Sequence, residues 1–89
     1  MKYSFPCIIE KEAGELSLYT SYFPDFNCFV DRKSKSYTTA IFASQKWLKE
    51  TIIRSKNKGF PVQQKSDYEG FHYIDMPDNC NIFWVIVYA

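Results

Sequence analysis

The feature that most constrains this chain is a change of hydrophobic period at Ser36. Before it, apolar residues recur at every second position. Lys2 to Lys11 sets Tyr3, Phe5, Cys7 and Ile9 on one side and Lys2, Ser4, Pro6, Ile8 and Glu10 on the other, the pattern of a strand with one apolar face. Pro6 has no N–H to give to a ladder, which places it at a sheet margin or a bulge. Lys11-Glu12-Ala13-Gly14-Glu15 is a polar, glycine-containing reversal, after which Leu16, Leu18, Thr20 and Tyr22 line one side of a second strand. Pro24-Asp25 signals a turn, and Phe26, Cys28 and Val30 alternate again before the charges at Asp31, Arg32 and Lys33.

After Ser36, Tyr37, Ile41, Ser44, Leu48, Ile52 and Ser55 form one stripe at spacings of three and four, flanked by Ala40 and Trp47. This spacing predicts an amphipathic helix over residues 37–58, with Ser36 as N-cap and Gly59-Phe60-Pro61 as its stop. Phe42 and Ile53 lie off the stripe and predict a second, smaller apolar patch. Residues 62–81 read as a polar connection with aromatic content. Ile82 to Tyr88 is apolar without alternation, as expected of a strand covered on both faces.

The order is therefore β-β-β-α-β, an α+β chain, and 89 residues make one domain spanning 1–89. A meander followed by a right-handed helical crossover predicts a last strand parallel to the first and beside it, in the sheet order 3-2-1-4. That is the order of the ribonuclease-H-like core, here in a degenerate form with one helix on one face. The other face needs a lid. In a chain this short a second protein is the expected lid, and the lack of a hydrophilic side in Ile82 to Tyr88, with the patch of Phe42 and Ile53, predicts a homodimer or higher homo-oligomer through Phe42, Ile53, Phe83, Val85 and Val87.

Catalysis is not expected. Nucleases of that architecture bring several carboxylates onto two divalent metals, whereas the middle of the first strand is Phe5 to Ile9 and the last strand has no acid. His72 has no nucleophile at a recognisable spacing, and among three glycines there is no phosphate-binding loop. Cys7, Cys28 and Cys80 are odd in number and widely spaced, so neither a disulfide framework nor a metal site follows, and no cofactor is expected. The longest apolar run, Ile82 to Ala89, falls short of the ~20 residues of a membrane span, and the first residues lack a signal-peptide pattern. The expectation is a soluble, cytoplasmic protein.

A net charge of +1 conceals a strong asymmetry, because residues 32–58 carry eight cations against Glu50 alone while the flanking segments are acidic. Arg32, Lys33, Lys35 and the helix lysines, next to Tyr37, Phe42 and Trp47, admit a reading as a small nucleic-acid-binding module in which cations track phosphates and rings stack on bases.

Other residues point elsewhere. The first strand from Tyr3 to Lys11, the Gly14 hairpin, and Phe23-Pro24-Asp25-Phe26-Asn27-Cys28-Phe29 resemble the HicB-like antitoxin family, the last of these being similar to its FPDLPGC segment. Ala40 and Leu48 in the helix, then Gly59-Phe60-Pro61-Val62 and Ser66, continue the resemblance over about residues 2–66. It implies a protein of a type II toxin-antitoxin system that binds and masks a HicA-type toxin, a small mRNA-cleaving ribonuclease. Two departures stand out. The Pro-Gly before the family's Cys is replaced by Asn27 alone, one residue shorter, and the usually acidic helix is basic here. A C-terminal DNA-binding module does not follow within these residues, so DNA binding is not implied.

A basic toxin would be repelled by the helix and attracted by acids elsewhere. Glu10, Glu12 and Asp25, with Tyr68, Phe71, Tyr73 and Asp75 in the connection before the last strand, are the candidate partner-binding residues. A decayed relative with no surviving toxin is a further alternative.

Overall fold

The computed structural model describes residues 1–14, 17–64 and 79–89. Among them β1 (Lys2–Lys11), β2 (Tyr19–Phe23), a single 3₁₀ turn (Pro24–Phe26), β3 (Cys28–Phe29), α1 (Tyr37–Asn57) and β4 (Cys80–Tyr88) follow in that order. The strands form one antiparallel sheet, ordered β3-β2-β1-β4, and α1 packs on one face of it, an α+β arrangement.

Side-chain alternation in β1 decides which face the helix covers. Tyr3, Phe5, Cys7 and Ile9 are buried, and they meet Ala40, Leu48 and Ile52 of α1 together with Phe23, Val85 and Val87. Burying a large apolar side chain contributes ~1.5–3 kcal/mol, so these few residues supply most of what holds a small domain together. An aromatic wedge closes one side of this core: Phe23 stacks on Trp47 with ring centroids 5.0 Å apart, and Phe26 meets Trp47 and Phe5 edge-on at 5.8 and 5.1 Å. The helix begins where Ser36 accepts the N–H of Thr39 at 3.1 Å. It ends where Gly59, at φ +78°, turns the chain so that the Gly59 and Phe60 amides reach the carbonyls of Lys56 and Ser55.

The last strand runs opposite to the expected direction. β4 pairs with β1 antiparallel, from Lys2↔Tyr88 to Glu10↔Cys80, rather than parallel through a crossover. The ends of the intervening segment give the reason. At ~1.5 Å per residue α1 is long enough to carry the chain along the whole sheet, and Gln64 arrives beside Ser4, whose amide donates to its carbonyl at 2.9 Å. Asn79 lies at the other end of β1, accepting the Lys11 amide. β4 therefore starts from the end of β1 opposite to the one that Gln64 reaches.

β2 is also turned over relative to its sequence pattern. Ile9 pairs with Ser21 and Ile8 with Tyr22, so Ser21 and Phe23 enter the core while Thr20 and Tyr22 face away from the helix. β3 is shorter than the Phe26-to-Val30 alternation suggested, because Phe26 belongs to the 3₁₀ turn. Val30 still follows β2, donating its amide to Ser21. Pro6 sits inside β1, yet its missing donor costs nothing. Alternation aims that position away from β4, toward a stretch that β2, which pairs only from Ile8 to Lys11, has already left.

Candidate functional site

Two surface features are built by this framework, and they have opposite chemistry. The first is a groove of about 690 Å³ between the Asp31–Lys35 loop and the outer side of α1. Thr39, Phe42, Ala43, Lys46, Trp47 and Glu50 recur at three- and four-residue spacing and so share one helix side, adjacent to the buried stripe. Arg32, Lys33 and Lys35 come from the loop, which is held against β2 by the mutual Tyr19–Ser34 backbone hydrogen bonds at 2.7 and 2.9 Å. Four cations face two carboxylates around the groove, which leaves it electropositive. Lys33 is drawn toward Glu12 of the first hairpin at 2.8 Å, an exposed pair of small energetic weight. Phe42 is 64% exposed, and Trp47 lends the groove one edge while its ring stacks inward on Phe23. The basic and aromatic residues that suggested nucleic acid are thus brought together, with Tyr37 as the exception: it leans on Tyr19 and the core instead.

The second feature is the sheet face opposite the helix. Residues paired across an antiparallel sheet share a face, so Phe29, Tyr22, Ile8 and Ile82 make one transverse row, followed by Pro6 with Trp84, Ser4 with Ile86 and Lys2 with Tyr88. Ile86 and Tyr88 are exposed there. Sequence reading expected an uncovered face but gave it the wrong residues of β4, since β4 has no polar side to reveal its parity. Only the pairing of β4 with β1 assigns it.

The proposed self-association residues are corrected accordingly. Val85 and Val87 are buried beneath α1, and Phe83 packs half-buried against the same core, so these three point away from any partner. Phe42 and Ile53 are exposed but do not form one patch. They lie three turns apart, ~16 Å along the axis, with Lys46 and Lys49 between them on the same side.

The candidate partner-binding acids are not brought together. Glu10 and Glu12 lie at the hairpin end of the sheet, where the Asn79 amide reaches Glu10 and Lys33 holds Glu12. Asp25 is at the opposite end, beside Phe5, Ser55 and Pro61 in a smaller cleft of about 210 Å³. Tyr68, Phe71, Tyr73 and Asp75, like His72, lie outside the described residues.

Two of the thiols are shifted upward. Burial pushes Cys7 up to about 11, although Ser44 accepts its S–H at 3.6 Å and in turn donates to the Ala40 carbonyl. Burial also raises Cys80, with the Glu10 charge adding to it. All three cysteines are free, and among the described residues no three His, Cys, Asp or Glu side chains converge as metal ligands. No helix among these residues is long and apolar enough to cross a membrane. No protein-family model, no curated protein and no solved structure matches this chain.

Proposed function

We propose that this protein is a non-catalytic binding protein of the antitoxin kind, which occludes a small, basic, HicA-type mRNA-cleaving toxin. The observation that carries this reading is the turn between β2 and β3. Asn27 closes the Pro24–Phe26 turn in the left-handed conformation, at φ 47° and ψ 49°, with its amide on the Pro24 carbonyl. A glycine takes such a conformation without strain, and Asn is the side chain that tolerates it best. One Asn therefore does the conformational work of the Pro-Gly in the similar FPDLPGC segment, and the shortening leaves Phe23 and Phe26 free to wedge under α1. The reading as a degenerate ribonuclease-H-like sheet rests on the order 3-2-1-4 and on the single covering helix.

The test is titration of a HicA-type toxin encoded beside this protein, with RNA cleavage as readout. Binding with loss of cleavage is expected. Glu10→Lys should weaken it several-fold by opposing the toxin's charge, and Lys46→Glu should leave it unchanged or tighter. Absence of binding would refute the reading.

The groove favours a second reading, a module for single-stranded nucleic acid, with Phe42 as stacking platform and Arg32, Lys35 and Lys46 on phosphates. Oligonucleotide affinity that falls steeply with salt, by ~0.7 in log–log slope per phosphate contacted, and that is lost in Phe42→Ala would establish it in place of the first.

A further inference from the structure

We propose that the outer edge of β4 is the interface of a closed two-fold homodimer, in which β4 pairs antiparallel with the same strand of a second copy, centred on Trp84. The inference is independent of which ligand the protein binds. It starts from backbone direction. Lys11 donates its amide toward the β4 side, to Asn79, and Ser4 donates its amide to the other side, to Gln64. Odd-numbered residues of β1 therefore bond to β4, and their partners Asn81, Phe83, Val85 and Val87 face back toward β1. The backbone groups of Ile82, Trp84 and Ile86 consequently point outward, along the edge at which the sheet of the described residues ends.

Strand edges are ordinarily protected by charge, proline, glycine-containing bulges or shortness. β4 has none of these. It is nine residues long, and Cys80 to Tyr88 contains no Lys, Arg, Asp, Glu, Pro or Gly. An edge without charge is not repelled by its own copy, which favours self-pairing over a charged partner. Ile86 and Tyr88 remain 43% and 66% exposed beside it. With Trp84 on the two-fold axis, the exposed Ile86 stands opposite Ile82 of the second copy, which is itself only 9% exposed, and Cys80 stands opposite Tyr88, so apolar side chains meet across the junction.

Closure is decided by the other edge of the sheet. Head-to-tail growth would need β4 to pair with β3, and β3 offers two residues, Cys28–Phe29, against nine. Self-pairing therefore terminates at two copies instead of growing a filament.

Sedimentation of the full chain at about 50 μM, above the Kd of ordinary specific interfaces, should show a dimer. Amide exchange should show Ile82, Trp84 and Ile86 protected along with Phe83, Val85 and Val87. Ile86→Lys supplies the missing edge charge at a half-exposed position, and should yield a monomer with an unchanged far-ultraviolet spectrum. In that monomer the Ile82 and Trp84 amides should exchange at least tenfold faster while those of Phe83 and Val85 stay protected. Ile53→Lys on the helix should leave the dimer intact. A monomer at the working concentration would overturn the proposal, as would a dimer that survives Ile86→Lys. Protection of the Trp84 amide only after a different protein is added would also overturn it, by assigning the edge to a foreign strand.

Discussion

The two faces of the sheet are made by the same strands in the same register, yet they do different things. Toward α1, Tyr3, Phe5, Cys7 and Ile9 are at most 3% exposed and join Phe23, Val85 and Val87 in one core. On the other side Pro6 and Ile82 are also buried, but Glu10, Ile86 and Tyr88 are exposed, as is Phe29 at 59%. In β4 a shift of one residue, from Val85 to Ile86 or from Val87 to Tyr88, separates a side chain that holds the domain together from one available for recognition. The helix, by covering one parity only, is what makes the faces unequal.

The sharpest way to break this comparison is to truncate one phenyl on each side. Phe23→Ala removes a fully buried ring stacked on Trp47 and touching Phe26, and should cost ~3–5 kcal/mol in urea denaturation, enough to leave the chain largely unfolded. Phe29→Ala, six positions along and on the other face of the sheet, loses its cross-strand contact with Tyr22 at 4.8 Å, worth ~0.2–1 kcal/mol. Equal costs would mean that the open face is a second core.

A smaller effect is expected from pH on the helix side. Cys7 is pushed up to about 11 by burial, against 9.0 for an unburied thiol. Below pH 9 the thiol keeps its proton in both states. Between pH 9 and about 11 the unfolded chain releases the proton and the folded chain retains it, so stability falls as pH rises, by ~2–3 kcal/mol in all. The stability of the protein relative to Cys7→Ala should narrow by that amount across the window, measured by denaturation at several pH values. An unchanged difference would show that water reaches Cys7.

Legibility from sequence followed local patterning. The β1 alternation, the α1 stripe with its Ser36 cap and Gly59 stop, and the order 3-2-1-4 were all readable, since each depends on side chains spaced along one element or on adjacent connections. The direction of β4 was not, because the crossover rule assumes that the chain returns to the end of the sheet from which the first strand starts, whereas Asn79 lies beside Lys11 at the opposite end. The orientation of β2 was misread for a different reason: Ser21 is polar and buried, Tyr22 is aromatic and faces outward, so apolarity and parity disagree there. The groove was legible as a charge block, which locates its cations without the loop geometry that gathers them. The acidic surface was not, since proximity of Glu12 to Asp25 in sequence gives no warning that the sheet separates them.

The smallest effect tests the residue at which the chain passes from one face to the other. Phe26 goes under α1 and Phe29 comes out on the open side, and between them Asn27 holds its left-handed conformation while its side-chain oxygen accepts the Tyr22 hydroxyl. Asn27→Ala keeps the backbone requirement and removes both the tolerance and the acceptor, so a loss of ~1–1.5 kcal/mol is expected. Asn27→Gly also removes the acceptor but relieves the conformational cost, and should stay within ~0.5 kcal/mol of the parent, because an exposed hydrogen bond is readily replaced by water. The pair of variants separates conformation from contact. If Gly is as damaging as Ala, the Tyr22 hydrogen bond is what the turn requires. A single Asn would then no longer be equivalent to the Pro-Gly of the similar segment, and the antitoxin reading would lose the structural observation that carries it.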